Sequence, residues 1–336
     1  MSKKQSRSTG APSPRVGTEE PAAWHEAWYR QSVVRQHVIA FVFLLLAAVL
    51  FYAPIIFSGK QVIAGDTINW RGMAQSMIEY EEETGEAALW AGHTFAGMPG
   101  YMISPEITVP QVDVVVRELR KLFWPTSNLM LMLIGMYFLA WYVTRDSLAS
   151  IFGAIAYGLS TYMPVILIAG HNSKFIALAW APWMMLAFIH AMKKHTIVSG
   201  LLFAVALAAN LRAGHIQITY YVTLAAGIWW LVEGVNALRS GNRKPFFQAT
   251  GVLVLGSVLG LMMIAEPYLS HAELAPFTTR GSATGGVAGG MTWAYAMAWS
   301  QGIGELLTLF ISDAFGGSGA TYWGPKTFTG GPHHFG

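Results

Sequence analysis

The chain has 336 residues, of which 54% are apolar, 13% aromatic and 12% charged, and its mean hydropathy is +0.42. Soluble domains carry about 25% charged residues, so this balance excludes an ordinary soluble enzyme and reads as an integral membrane protein. The net charge of +3 comes from basic residues dispersed over the N-terminal tail and short loops, which are topology signals and not a nucleic-acid surface; with no cysteine, disulfides and thiolate metal sites are excluded.

Residues 1–35, with Ser, Pro, Gly and scattered Lys and Arg, read as a disordered cytoplasmic tail that ends in a short interfacial segment bearing Trp and Tyr. Residues 36–336 read as one membrane module. Val38 to Phe57 is uncharged and about as long as the roughly 30 Å hydrocarbon layer is thick. Six further runs follow: Ser127 to Val143, Ser147 to Gly170 with Pro164 inside it, Phe175 to Met192, Thr196 to Leu211, Ile216 to Val232, and Pro245 to Ala265. The expected fold is therefore an all-α polytopic membrane protein with about seven transmembrane helices.

Orientation comes from the short loops. Arg145, the pair Lys193 and Lys194, and the group Arg239, Arg243 and Lys244 all fall on the side of the N-terminal tail if there are seven spans. The positive-inside rule makes that side cytoplasmic. Residues 58–126 then form a large first extracytoplasmic loop, and 266–336 an extracytoplasmic segment. In the loop, Ile68 to Tyr80 and Val112 to Phe123 have the spacing of amphipathic helices. Leu89 to Gly100 reads as a turn-rich segment with aromatic anchors. Met291 to Phe310 is apolar, but Glu305 and nearby glycines favour an interfacial or re-entrant helix over an eighth span. The chain stops at Gly331 to Gly336 without an apolar closure, as the N-terminal part of a longer protein would.

This topology gathers Asp66, His93, His171, His215, Glu266 and His271 on the outer side, and carboxylate and imidazole are the groups that move protons or bind divalent metals near neutral pH. Gly170-His171 and Gly214-His215 repeat one pattern, a tight turn with an outward His. Lys174, Arg212 and Arg280 add cations suited to a phosphate. Each has a plainer reading: His anchors the interface, and Lys and Arg snorkel to bulk membrane lipid. Phosphate-binding loops and the HExxH metal motif are absent from the sequence.

Gly65-Asp66, Leu89-Trp90 with Phe95-Ala96-Gly97-Met98-Pro99, the Gly-His hairpins, the tract Asn210 to Tyr221 and Tyr322-Trp323-Gly324 together resemble the YfhO-like family of bacterial membrane proteins, over roughly residues 38 to 336. The resemblance implies a GT-C-type glycosyltransferase in the bacterial cytoplasmic membrane that uses a polyprenyl-phosphate-linked sugar, with the essential acid of the first loop mapping to Asp66. In that frame Lys174, Arg212 or Arg280 meets the phosphate, His93, His171 and His215 lie at the substrate, and Trp70 and Trp90 stack on sugar faces. Asp66 lacks the adjacent second acid often found in such enzymes, so a divalent metal ion would draw further ligands from Glu266 and His271. A non-catalytic carrier of lipid-linked sugar and a structural subunit of envelope assembly remain the other readings.

Overall fold

A computed structural model describes residues 24–86, 88–103 and 123–278, with 293, 297, 300, 302–311, 313–316 and 321–324. Two short helices and a long one open it: α1 (Trp24–Tyr29), α2 (Val33–Phe51) and α3 (Ala53–Ser58). Ser32 caps α2 by accepting from Arg35 N. The run expected to be continuous to Phe57 breaks at Tyr52, because Pro54 has no N–H for the carbonyl of Leu50 and its ring crowds that turn.

The first loop folds on α4 (Gly65–Thr84), a 20-residue helix that extends the expected Ile68 to Tyr80 segment at both ends. Ala74 and Met77 on α4 pack against Ala91 and Ile103. The segment is turn-rich as expected, and its ends pair as a small antiparallel hairpin, β1 (Trp90–Ala91) with β2 (Met98–Pro99), followed by a 3-10 turn at Gly100–Met102. Bonds beyond the strand pairing hold it, Gly100 N donating to Leu89 O at 2.8 Å among them. Gly97 N donates to Thr94 O at 2.9 Å, Thr94 Oγ1 to Met73 O at 3.1 Å, and Trp70 Nε1 to Ile103 O at 2.7 Å. The Trp90 indole lies over Gly97 (φ +106), where a Cβ would come within 2.8 Å of Nε1. Nearly all of the second expected loop helix, Val112 to Phe123, lies outside the described residues.

The bundle follows: α5 (Thr126–Thr144), α6 (Ser147–Gly158), α7 (Tyr162–Ala169), α8 (Asn172–Lys194), α9 (Ile197–Arg212), α10 (Ile216–Ser240) and α11 (Arg243–Met263), then the short α12 (Ala265–Leu274). Among the described residues, six helical segments are long and apolar enough to cross a membrane: α2, α5, α6 with α7, α8, α10 and α11. The protein is thus an all-α, multi-pass membrane protein. The 16-residue α9 is apolar but shorter. Large apolar side chains such as Leu46, Leu50, Ile228, Leu231, Val254 and Val258 are exposed along these helices, an arrangement that suits a hydrocarbon surround and not water. Within the candidate eighth span, Gly304–Leu309 is a 3-10 turn; its buried Glu305 accepts from Gly302 N and the Tyr322 hydroxyl.

The third run breaks at Leu159 to Thr161, just ahead of Pro164, whose ring would clash with the Ser160 carbonyl in an unbroken helix. In α8, Pro182 sits mid-helix and leaves the Leu178 carbonyl without its helical donor. The Tyr157 hydroxyl of α6 supplies one at 2.9 Å. Two more neighbours bond to α8 carbonyls: Asn128 Nδ2 to Phe175 O at 3.0 Å and Asn210 Nδ2 to Ala177 O at 2.8 Å, with Thr219 Oγ1 donating on to Asn210 Oδ1 at 2.6 Å. In an apolar surround these polar groups need one another, and they make α8 the common wall of two cores. One core is built with α2, α5, α6 and α7; the other with α9, α10 and α11. Helices α9 and α11 meet backbone to backbone, since a Cβ on Gly256 would lie 2.5 Å from Gly200 O and one on Gly260 2.8 Å from Ala204 O.

Two sets of contacts sort the turns into ends. Trp28 Nε1 donates to Ser147 Oγ and the Tyr29 hydroxyl to Asp146 Oδ2, both at 2.8 Å; Arg145 and Lys193 both stack on the Tyr142 ring. The chain start, the α5–α6 turn and the α8–α9 turn therefore share one end. At that end the positive-inside rule predicts that reporter fusions after Arg145, Lys194 and Arg243 all report the cytoplasm. A signal from the opposite compartment at any of the three would overturn this arrangement.

Candidate functional site

The opposite end carries the residues of interest. The first turn of α4 starts at an extended Ala64 that offers no side-chain cap, and Asp66 sits in that turn, where the helix dipole favours a carboxylate. Helix α7 ends at Gly170, which takes the left-handed conformation (φ +94) that the sequence pattern implied. That glycine is also required by proximity: a Cβ there would lie 2.9 Å from Asp66 Cβ and 3.1 Å from Thr67 N.

This close approach delivers His171, the residue that opens α8, to the carboxylate. His171 Nε2 stands 3.2 Å from Asp66 Oδ2, and both side chains are about half exposed. Asn172 Nδ2 donates to Thr67 Oγ1 at 3.2 Å and ties the same two turns together. The result is a carboxylate–imidazole pair on two helix starts, open to solvent, able to accept and pass a proton.

Lys174 follows in the first turn of α8, and His215 opens α10 after Gly214 (φ +71). Burial holds the His215 imidazole below its usual range, and the nearby positive charges of Lys174 and His171 push in the same direction. Ala177, near the start of α8, packs with Ala213 and Ile218, so α9 returns the chain to the end where α8 begins. Among the described residues His215 Nε2 is buried and has no hydrogen-bond partner. Because its folded pKa lies below the unfolded one, an unfolded chain takes up a proton at about pH 6.5 while the folded chain does not. Stability is then lost as pH falls from there toward the folded value. His215→Gln is expected to flatten the decline of the unfolding temperature between pH 7 and pH 5 in detergent; an unchanged decline would show that this imidazole contributes nothing to acid lability.

The remaining expected residues are placed less centrally. Arg212 ends α9. Glu266 is exposed in the first turn of α12; His271, in its last turn, donates from Nδ1 to Pro267 O at 2.6 Å. The Tyr101 ring packs edge-on against His271, and its hydroxyl donates to Ser270 O, so the first loop and α12 touch. His93 is exposed beside the hairpin turn. Trp70 spends its N–H inside the loop and Trp90 covers Gly97 with part of its ring. Arg280 lies outside the described residues. Among the described residues no group of three or more His, Asp and Glu side chains is placed to hold a metal ion, so Asp66, Glu266 and His271 do not form a three-ligand seat for the divalent ion that the sequence raised.

Two cavities bear on the site, one at the pair and one beside His215. The first, of about 300 Å³, adjoins the pair through Thr67 and Asn172 and is lined by Lys60, Gln61 and Arg71 over a floor that includes Trp124. Sequence reasoning passed over Lys60 and Arg71. The available signal was their charge, since basic residues are depleted from short segments outside the cytoplasm. The other, of about 580 Å³, is an apolar groove running between α10 and α11 over α8 and α9. Its near end is formed by Leu211, Ile216 and Leu261, next to His215; Thr219, Thr223, Thr250 and Ser257 are among the few polar side chains along it. Compared with protein-family models, curated proteins and solved structures, the chain matches none of them.

Proposed function

We propose that the chain is the GT-C-like module of a membrane glycosyltransferase that moves a sugar from a polyprenyl-phosphate donor to a cell-envelope acceptor at the outer face of the bacterial cytoplasmic membrane, as the resemblance to the YfhO-like family implies. The observation that carries this reading is the Asp66–His171 pair, 3.2 Å apart and half exposed at one end of an apolar helix bundle. Sugar transfer breaks the bond from the anomeric carbon to the donor phosphate oxygen and makes one to an acceptor oxygen. The acceptor loses a proton and the phosphate keeps the electron pair. Asp66 takes that proton, with His171 holding the carboxylate in place and passing the proton to solvent. Lys174 and Arg212 face the departing phosphate, whose charge grows as the sugar leaves.

The apolar groove supports the lipid half of the substrate, because a polyprenyl tail in it would bring its phosphate to the end where His215 and Lys174 stand. The same groove favours a second reading, a carrier that binds lipid-linked sugar and transfers nothing. Incubating the purified full-length protein with a radiolabelled polyprenyl-phosphate sugar and envelope acceptor separates the two. Label moving to acceptor supports the transferase; saturable donor binding with no transfer supports the carrier; neither binding nor transfer rejects both.

A further inference from the structure

The cavity beside the Asp66–His171 pair has a chemistry of its own. Lys60 and Arg71 both line it, and no acidic side chain does. Neither cation has an ion-pair partner among the described residues. Two like charges facing one small cavity repel, and the repulsion is relieved by an anion seated between them. We infer that this cavity binds the phosphate group of a phosphate ester, held between Lys60 and Arg71 beside the candidate proton acceptor.

The rest of the lining fits that ligand. Thr67 Oγ1 already accepts from Asn172, so the hydroxyl proton of Thr67 is left to donate into the cavity, and Gln61 brings amide donors. Arg71 offers the planar fork that suits two phosphate oxygens at once, and Lys60 the compact charge that needs no fixed geometry. The floor is apolar, formed by Trp124, Pro125 and Leu167. At about 300 Å³ the space is several times that of a phosphate ion, which leaves room for the carbon group esterified to it. The start of α4, without a side-chain cap at Ala64, adds a weaker attraction of the same sign.

This site does not depend on sugar transfer, and its test reads binding alone. The purified full chain in neutral detergent is titrated with farnesyl phosphate, with farnesol and with inorganic phosphate, and the unfolding temperature is followed. Farnesyl phosphate is expected to raise it saturably and farnesol much less. Lys60→Gln and Arg71→Gln should each weaken the response about tenfold, the loss of one charge-assisted hydrogen bond, and the double variant should leave only the response that the groove beside His215 gives. Both side chains are exposed, so these changes leave the cores intact. Lys60→Arg, which keeps the charge, should retain most of the affinity.

Competition by inorganic phosphate would identify a site that recognises the free ion as well. Failure to compete would identify one that requires the esterified chain, as a lipid headgroup provides. Asp66→Asn should bind farnesyl phosphate at least as well as the natural chain even where transfer is lost, which separates failure of this site from failure of the transferase reading. An unchanged response in the Lys60→Gln, Arg71→Gln double variant, an equal response to farnesol, or no response of the natural chain would each overturn the assignment.

Discussion

Asp66→Asn is expected to slow sugar transfer by about 10²- to 10⁴-fold, the usual cost of losing a general base, while membrane insertion and abundance stay near normal. Asn keeps the size of the side chain, and the half-exposed position adds no packing cost, so the loss would be chemical. His171→Gln should cost less, because the carboxylate remains and only its neighbour 3.2 Å away is gone. If the pair works as a unit, the double variant will be no slower than Asp66→Asn alone. Rates measured with purified protein and saturating donor decide the matter, and full activity of Asp66→Asn would remove this carboxylate from the mechanism.

The largest effect on stability is expected where α9 crosses α11. Gly256 has Gly200 O 2.5 Å from where a Cβ would stand, and the obstacle is backbone, which cannot rotate aside. Gly256→Val must push the two helices apart at their closest point, with an expected loss of about 1–3 kcal/mol. Gly256→Ala should show the same sign and a smaller loss. Gly251, on the same helix, has open space at its Cβ position, so Gly251→Ala should be neutral or slightly stabilising. Unfolding of the three variants in detergent gives the comparison; equal stabilities at positions 251 and 256 would mean that the crossing is not a close one.

Much of the bundle was legible because the bilayer imposes a length on any uncharged run. Most of the expected membrane segments end within a few residues of observed helices. The interruptions after Phe51 and ahead of α7 have local causes at Pro54 and Pro164, whereas α10 runs past the expected Val232 to Ser240. The Gly-His pattern was also readable, since a glycine that must turn the chain announces itself: Gly170 and Gly214 both take positive φ, and the following His opens a helix each time. The β1–β2 hairpin was not readable. It depends on Thr94 reaching Met73 and on Trp90 lying over Gly97, and no periodicity records either contact.

The candidate site divides the same way. Topology put Asp66 and His171 on one face, but 105 positions separate them, and only the missing Cβ of Gly170 brings them within reach. Glu266 and His271 shared that face without joining them, because α12 meets the first loop at Tyr101 instead. Lys60 and Arg71 were overlooked because neither belongs to a motif. Their common cavity forms only when the turn after α7 docks on the start of α4.

The bond from Tyr157 to the Leu178 carbonyl ties two interruptions of regular helix into one mechanical unit. Tyr157 stands one residue before α6 ends, at the break ahead of α7, and Leu178 lies at the point where Pro182 loosens α8. If α8 straightened or flexed there, its acceptor would leave the hydroxyl of another helix, and in hydrocarbon no water replaces the lost donor. Bending of α8 is thereby coupled to movement at the α6–α7 joint. Because α7 leads through Gly170 to His171, the same joint is a lever on the distance between that imidazole and Asp66.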